Sequence, residues 1–291
     1  MKVTGFSFIK NAIKLDYPIV EAINSVLPIC DEFVLAVGKS DDGTLEMIKN
    51  LNSDKIIVLE TVWDDSLREG GRVLATETDK ALAHIKDSDW AFYIQGDEVL
   101  HEKYLHPVQK AMFDYQNNPE IEGLLFKYLH FYGSYDYVAD SRKWYRREIR
   151  VIRPKKDVFS YKDAQGFRKL PNNKLKVKLI DAYMYHYGWV KNPDQQLEKQ
   201  KSFQKLWHND SEVQKRLEKY ENAKFDYSNI DSLAKFDGTH PQVIQKRIEK
   251  MNWQFEYDLS KKNYTARIWL LTQIEKLTGW RIGEYQNYEM I

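Results

Sequence analysis

Three short stretches hold residue types able to do chemistry. The first is Gln95-Gly96-Asp97-Glu98. Two adjacent carboxylates beside a small residue, directly after an apolar run, suit a hard divalent cation. Mg²⁺ and Mn²⁺ take oxygen ligands and keep positions open for substrate phosphates. The second is Gly38-Lys39-Ser40-Asp41-Asp42-Gly43-Thr44, a hydroxyl-rich acidic turn suited to the base or ribose of a nucleotide. Its carboxylates would repel phosphate, and no Gly-Lys-Ser/Thr phosphate-loop ending follows. The third is His186 within Tyr183-Met184-Tyr185-His186-Tyr187-Gly188-Trp189, where an imidazole could complete a metal sphere. Each stretch also has a plainer use: a polar turn, a capped helix start, and a hydrogen-bonded core histidine.

The surrounding elements must bring these stretches together. Over the first hundred residues, strand and helix signals alternate. Val3 to Ile9, Glu32 to Gly38, Lys55 to Leu59 and Trp90 to Ile94 are short apolar runs that read as buried strands. Between them, Asp16 to Leu27, the stretch opened by Asp41-Asp42-Gly43-Thr44, and Gly70 to Ile85 carry apolar residues at helical spacing. Such alternation predicts an α/β fold, with a parallel sheet flanked by helices and functional loops at the strands' C-terminal ends. Beyond residue 100, Lys103 to Tyr115 reads as a helix, while Glu122 to Tyr132, Trp144 to Arg153 and Leu175 to Tyr187 read as strands. From Pro193 onward the chain reads as polar and mostly helical, its last element running from Tyr264 to Leu277 with Gly279 as C-cap. A division near residue 190 is expected, with domains at 1–190 and 191–291.

Taken in order, an N-terminal strand, a Ser-x-Asp-Gly-Thr turn, an acidic motif after a Trp-containing strand and a late His resemble the family 2-type glycosyltransferases of GT-A fold. The likeness is greatest to bacterial members that build surface polysaccharide. It is carried by Cys30 to Glu46 (CDEFVLAVGKSDDGTLE) and by Asp89-Trp90 through Asp97-Glu98-Val99-Leu100, and it covers about residues 1 to 190. The resemblance implies a GT-A-like, mostly parallel sheet, with the region after 190 as a helical extension. It implies a nucleotide-sugar donor held by Ser40, Asp42, Arg72, Gln95 and Asp97, and a divalent metal (Mn²⁺ or Mg²⁺) held by Asp97 and His186. The metal would neutralise charge on the departing nucleotide.

The sequence departs from the family pattern at three places. Gln95 stands at the first acidic position of the DxD-like motif, Val37 replaces the Asp that usually ends the second strand, and Ala12 follows Asn11 where an acid is usual. These changes thin the expected grip on the nucleoside. An inverting transferase also needs a base for the acceptor hydroxyl. In Ser160-Tyr161-Lys162-Asp163-Ala164-Gln165-Gly166-Phe167 the candidate is Asp163, with an ordinary turn carboxylate as the alternative.

Arg142 to Lys156 is rich in Arg and Lys with interleaved aromatics. It could meet RNA, a diphosphate or a lipid diphosphate, but a strand with one solvated basic face explains it more simply. Aromatic rings stack on sugar C–H faces, and core packing explains some of Tyr128 to Tyr137 (YLHFYGSYDY) just as well; the resemblance, which places the site nearby, implies an acceptor-side loop.

Composition sets the outer bounds. The 291 residues hold 44 Lys plus Arg against 43 Asp plus Glu, a net charge of +1, which argues against a general nucleic-acid partner. A single cysteine, Cys30, excludes an intramolecular disulfide framework. No apolar run reaches the roughly 18 residues of a spanning helix, and the N-terminus lacks a signal-peptide core. The expected location is the cytoplasm or the inner face of its membrane, with peripheral membrane contact. The expected activity is transfer of a sugar from a nucleotide-diphosphate donor to a saccharide or lipid-linked acceptor, with inversion. The alternatives are a nucleotidyltransferase and a non-catalytic carbohydrate- or nucleotide-binding protein derived from a transferase.

Overall fold

The computed structural model describes residues 1–67, 69–208, 210–217 and 224–291. The first part alternates as the apolar spacing predicts: β1 (Val3–Ile9), α1 (Ile19–Val26), β2 (Glu32–Gly38), α2 (Thr44–Lys49), β3 (Ile56–Thr61), α3 (Arg72–His84) and β4 (Trp90–Tyr93). Then follow β5 (Glu98–Leu100), α4 (Leu105–Asp114), β6 (Gly123–Tyr132), β7 (Tyr137–Ala139), β8 (Arg147–Ile152), β9 (Val158–Tyr161), β10 (Gly166–Lys169) and β11 (Asn173–Trp189). The last part holds α5 (Pro193–Trp207), α6 (Asp210–Leu217), β12 (Leu233–Lys235), α7 (Gln245–Glu249), α8 (Ala266–Thr278) and β13 (Tyr288–Met290).

The main sheet runs β3-β2-β1-β4-β8-β6-β11-β10-β9. Its first four strands are parallel, β8 is antiparallel to both neighbours, and β6 pairs parallel with β11. The expected α/β class holds, with helices on both faces, but the sheet is mixed where a mostly parallel one was expected: along this path four strand pairs are parallel and four antiparallel. Alternate residues of β2 explain the two layers. Phe33, Leu35 and Val37 pack with Ile23 of α1, Ile48 of α2 and Met112 of α4. Val34 and Ala36 pack with Val73, Leu74 and Ala81 of α3. A strand buried on both faces needs a continuous apolar run, which is what EFVLAVG supplies.

β11, at 17 residues, organises the rest. It pairs with β6, takes β13 beside Leu175–Val177, and takes β5 antiparallel so that His186 lies opposite Glu98. The short strand β5 was not expected; it lies where the sequence suggests a polar turn, and its register fixes the acidic motif against the late His. The β9–β10 hairpin was also unexpected. Its turn holds Lys162 and Ala164 at positive φ (55° and 65°). Of the helical stretch expected after Pro193, α5 and α6 open it and α8 with the left-handed Gly279 cap ends it, while the described chain between them is largely irregular apart from β12 and α7. Residues 209 and 218–223 of that stretch lie outside the described residues.

The arginine-rich strand differs most from expectation. Its guanidinium groups are internal struts rather than a solvated face. Arg150 is fully buried and grips Glu98 with two bonds (2.8 and 2.7 Å). Arg153 stacks over Trp90 at 4.2 Å and donates to the carbonyls of Tyr115, Gln116 and Ile121. Arg142 and Arg146 bind Glu275 and Glu284 from the C-terminal region. The aromatic run from Tyr128 is likewise core: Phe131 is fully buried and stacks against both Tyr185 and Tyr187.

Candidate active site

The C-terminal ends of β1 and β4, the end of β11 and one side of α5 enclose a cavity of about 700 Å³. Four of the sequence-predicted residues line it together: Gln95, Asp97, Asp163 and His186. Such a volume is typical of a small-molecule or cofactor site.

Asp97 is its electrostatic centre. Burial would push the carboxyl up, but the ammonium of Lys199, with Lys191 nearby, more than offsets that and holds it well below the usual carboxylate range. Lys199 Nζ donates to Asp97 Oδ2 at 3.0 Å and to the Gly188 carbonyl at 2.8 Å. Asp97 Oδ1 faces His186 Nε2 at 3.7 Å. The adjacent Glu98 plays no part here. It receives Arg150, the Tyr128 hydroxyl (2.7 Å) and the Gln95 N–H (3.1 Å) in the core, so the pair of carboxylates noticed in the sequence divides into one site residue and one strut.

His186 is oriented by a neighbour that the sequence reading did not single out. His130 Nε2 lies 2.6 Å from the Tyr145 carbonyl, and the two Nδ1 atoms of His130 and His186 lie 3.1 Å apart. A carbonyl only accepts, so His130 Nε2 carries a proton. Burial holds His130 well below its ordinary pKa, which leaves its Nδ1 bare to accept from His186 Nδ1–H. His186, itself lowered by burial, then presents a bare Nε2 lone pair on the Asp97 side. This is the tautomer a metal-ligating histidine needs.

Gly188 passes between the two groups. A Cβ there would lie 2.6 Å from Asp97 Oδ2 and 2.7 Å from His186 Nε2. One carboxylate oxygen, one imidazole lone pair and this small cradle fit one corner of a divalent-cation sphere, with substrate phosphates and water as the other ligands. Among the described residues, no cluster of three or more His, Cys, Asp or Glu could hold an ion alone.

Asp163 sits in the β9–β10 turn. Burial raises its pKa, with the nearby Lys162 opposing. The turn is tied to the Asp97 segment by Gln95 Nε2, which donates to the Ala164 carbonyl at 2.9 Å. It also abuts the start of α3. Gly71 has φ 71°, and a Cβ there would come within 2.9 Å of Asp163 Cβ, so only glycine fits.

Ser40, Asp42 and Arg72 do not line the cavity. Ser40 Oγ accepts from Asn11 N (3.0 Å), and Asp42 Oδ2 accepts from Lys14 N (2.7 Å). Together with Thr44 Oγ1, which accepts from Ala12 N (2.8 Å), they clamp the loop after β1. That loop supplies Lys10, Asn11, Lys14 and Tyr17 to the cavity wall. The acidic turn thus acts one step behind the site. Arg72 is exposed at the first turn of α3.

The cavity's aromatic wall comes from Tyr17, Trp63, Trp144, Trp189 and Phe203, dispersed along the chain. From the run at Tyr128 to Tyr137, only His130 reaches it. Lys191, at the β11–α5 junction, is buried and donates to the Asp16 carbonyl. Burial and the nearby Lys199 bring its pKa down to about 7.

No family model matches the chain, and no curated protein matches it. Among solved structures it is similar to S. aureus TarS at 15% identity and TM-score 0.43, with 76% of this chain and 43% of that chain covered. It is also similar to a shorter form, S. aureus TarS 1-349 in complex with UDP-GlcNAc, at 15% identity and TM-score 0.42, covering 76% and 72%. A third likeness, to glucosyl-3-phosphoglycerate synthase from Mycobacterium tuberculosis in complex with Mn²⁺, UDP and phosphoglyceric acid, has 15% identity and TM-score 0.29 and covers 44% and 43%. The chain thus spans less than half the length of the first and third of these.

Proposed function

We propose that this chain is a glycosyltransferase. It takes a sugar from a nucleotide-diphosphate donor and passes it, with inversion, to a saccharide or lipid-linked acceptor. The observation that carries the reading is the convergence of Asp97, His186 and Asp163 on one cavity at the ends of the parallel strands. In this reading, residues 1–190 bind the donor and 191–291 close the site with α5.

Asp97 and His186 would hold a divalent cation, Mn²⁺ or Mg²⁺, which when bound supplies Lewis-acid neutralisation of the diphosphate. Asp163 accepts the proton of the acceptor hydroxyl. The freed oxygen attacks the anomeric carbon, a new C–O bond forms on the opposite face, and the bond to the donor phosphate breaks to release the nucleoside diphosphate. The raised pKa of Asp163 suits a base of this kind. Trp144, Trp189 and Tyr17 offer flat apolar faces to sugar rings. No helix among the described residues is long and apolar enough to cross a membrane, so a lipid-linked acceptor would be met at the membrane surface.

The test is a thermal-shift screen of nucleotide sugars with Mn²⁺, followed by turnover on saccharide acceptors. A ligand at a hundred times its dissociation constant stabilises the native state by about 2.7 kcal/mol, enough to raise the melting temperature visibly. A panel in which no nucleotide or nucleotide sugar shifts the transition, with or without metal, overturns the proposal. The binding-only alternative is favoured by Gln95, which stands at an acidic position of the motif and whose amide is tied to Ala164. Tight donor binding without turnover on any acceptor would select it.

A further inference from the structure

Lys199 has no counterpart among the residues that the sequence pattern singles out, yet it is the nearest cation to Asp97. It is buried on α5, 102 positions along the chain from its carboxylate partner. Two of its three ammonium protons go to Asp97 Oδ2 and the Gly188 carbonyl, and its Nζ stands 5.0 Å from the centre of the Tyr17 ring. These contacts fix its head at the cavity wall instead of leaving it to swing in solvent. Among the described residues, the third proton has no hydrogen-bond acceptor, and an ammonium group donates three. Lys10, Lys14, Lys201 and Lys205 line the same cavity against Asp65, Asp163 and Glu198, so the lining is close to balanced in charge and the anchored ammonium of Lys199 is the fixed cation beside Asp97.

A site with two carboxylates needs an added cation before it can receive a diphosphate. Here the first of those positions is Gln95, an uncharged amide turned to Ala164, and a lysine stands beside the remaining carboxylate. We propose that Lys199 is a built-in cation of the donor site: it binds the diphosphate of the nucleotide directly, so that nucleotide binding survives removal of divalent metal. The inference rests on the transferase reading and adds to it a charge that the chain itself carries. A phosphate oxygen accepts a hydrogen bond from the free ammonium N–H and shares the cation with Asp97. Because Lys199 is anchored on both sides, little side-chain entropy remains to be lost on binding.

The experiment is isothermal titration of the purified full chain with UDP, GDP and ADP, in EDTA and again in Mn²⁺. The wild-type chain is expected to bind at least one of them in EDTA within about tenfold of its affinity in Mn²⁺. Lys199→Met is expected to lose more than tenfold in EDTA and less in Mn²⁺, and Lys199→Arg to keep most of the metal-free affinity. Circular dichroism establishes that each variant is folded; if Lys199→Met is not, the wild-type pair of titrations and Lys199→Arg still decide. Wild-type binding that vanishes in EDTA, or a folded Lys199→Met chain that binds in EDTA as the wild type does, overturns the inference and leaves the transferase reading standing. Absence of binding to every nucleotide in both buffers overturns both.

Discussion

Asp163 and Glu148 are two buried carboxyls with different consequences. In Asp163→Asn the shape is kept and the base is lost, so turnover with nucleotide sugar and acceptor should fall by about 10²–10⁴-fold while donor affinity changes little. Unchanged turnover would remove Asp163 as the base. In the wild type, turnover should decline as pH drops through the raised pKa of Asp163, because protonation removes the base. Glu148 lies outside the cavity, and burial brings its pKa up to about 7, with Arg150 opposing and Glu98 and Asp163 adding to the rise. Since the native state holds this proton more tightly than the unfolded chain, stability falls as pH rises from the ordinary carboxyl range to about 7. Glu148→Gln should therefore raise the melting temperature at pH 8 and have little effect at pH 4. A shift of equal size at both values would refute the assignment. Asp97, Asp163 and His186 were legible in the sequence because strand ends and turns are where polar residues stand out against apolar runs. His130 was hidden in YLHFY, where a histidine among aromatics reads as core. Lys199 was hidden because a lysine in a polar helix has many equals, and nothing in its spacing reveals which one turns inward.

Among the elements, the bond between β5 and β8 does the most to set the site. Arg150 and Glu98 are both fully buried, so truncating one strands the other's charge away from water. Arg150→Ala should cost about 3–5 kcal/mol of stability by denaturant unfolding, and loss of less than 1 kcal/mol would show that the pair is not structural. The first four strands and three helices were legible because strands covered on both faces require unbroken apolar runs, and their helices keep one apolar stripe. The β9–β10 hairpin was not, since its turn depends on positive φ at Lys162 and Ala164, which composition does not announce. The arginines of β8 misled for a related reason. A guanidinium with paired partners and an aromatic face is stable inside, and sequence alone does not show the partners.

For the whole molecule, the C-terminal region is bound back onto the sheet. Tyr288 of β13 is buried against Leu175 and Val177, and Asn287 accepts a bond from Arg168 Nε at 2.5 Å. Tyr288→Ala should cost about 3 kcal/mol, at the lower end for a buried aromatic because β13 is a short strand. It should do so in one cooperative transition, since β13 packs along β11, the strand that carries His186. A separate low-temperature transition would instead mark the region after 190 as an independent unit. Exposed Trp269, Leu270 and Trp280 lie on and just after α8, on the far part of this region. The alternation of strands and helices foretold the sheet, but not that the final residues would return to it, because a three-residue strand leaves almost no periodic trace.

The strand that ends beside the cavity passes into α5 through Val190 to Asn192 alone, and the imidazole and the ammonium that face Asp97 stand on either side of that junction. Each residue of a helix turns its successor by about 100°. Adding or deleting one amino acid within the first turn of α5 would rotate Lys199 away from Asp97 while leaving every nearby side chain chemically intact. The length of that stretch is therefore constrained separately from the chemistry of the residues in it.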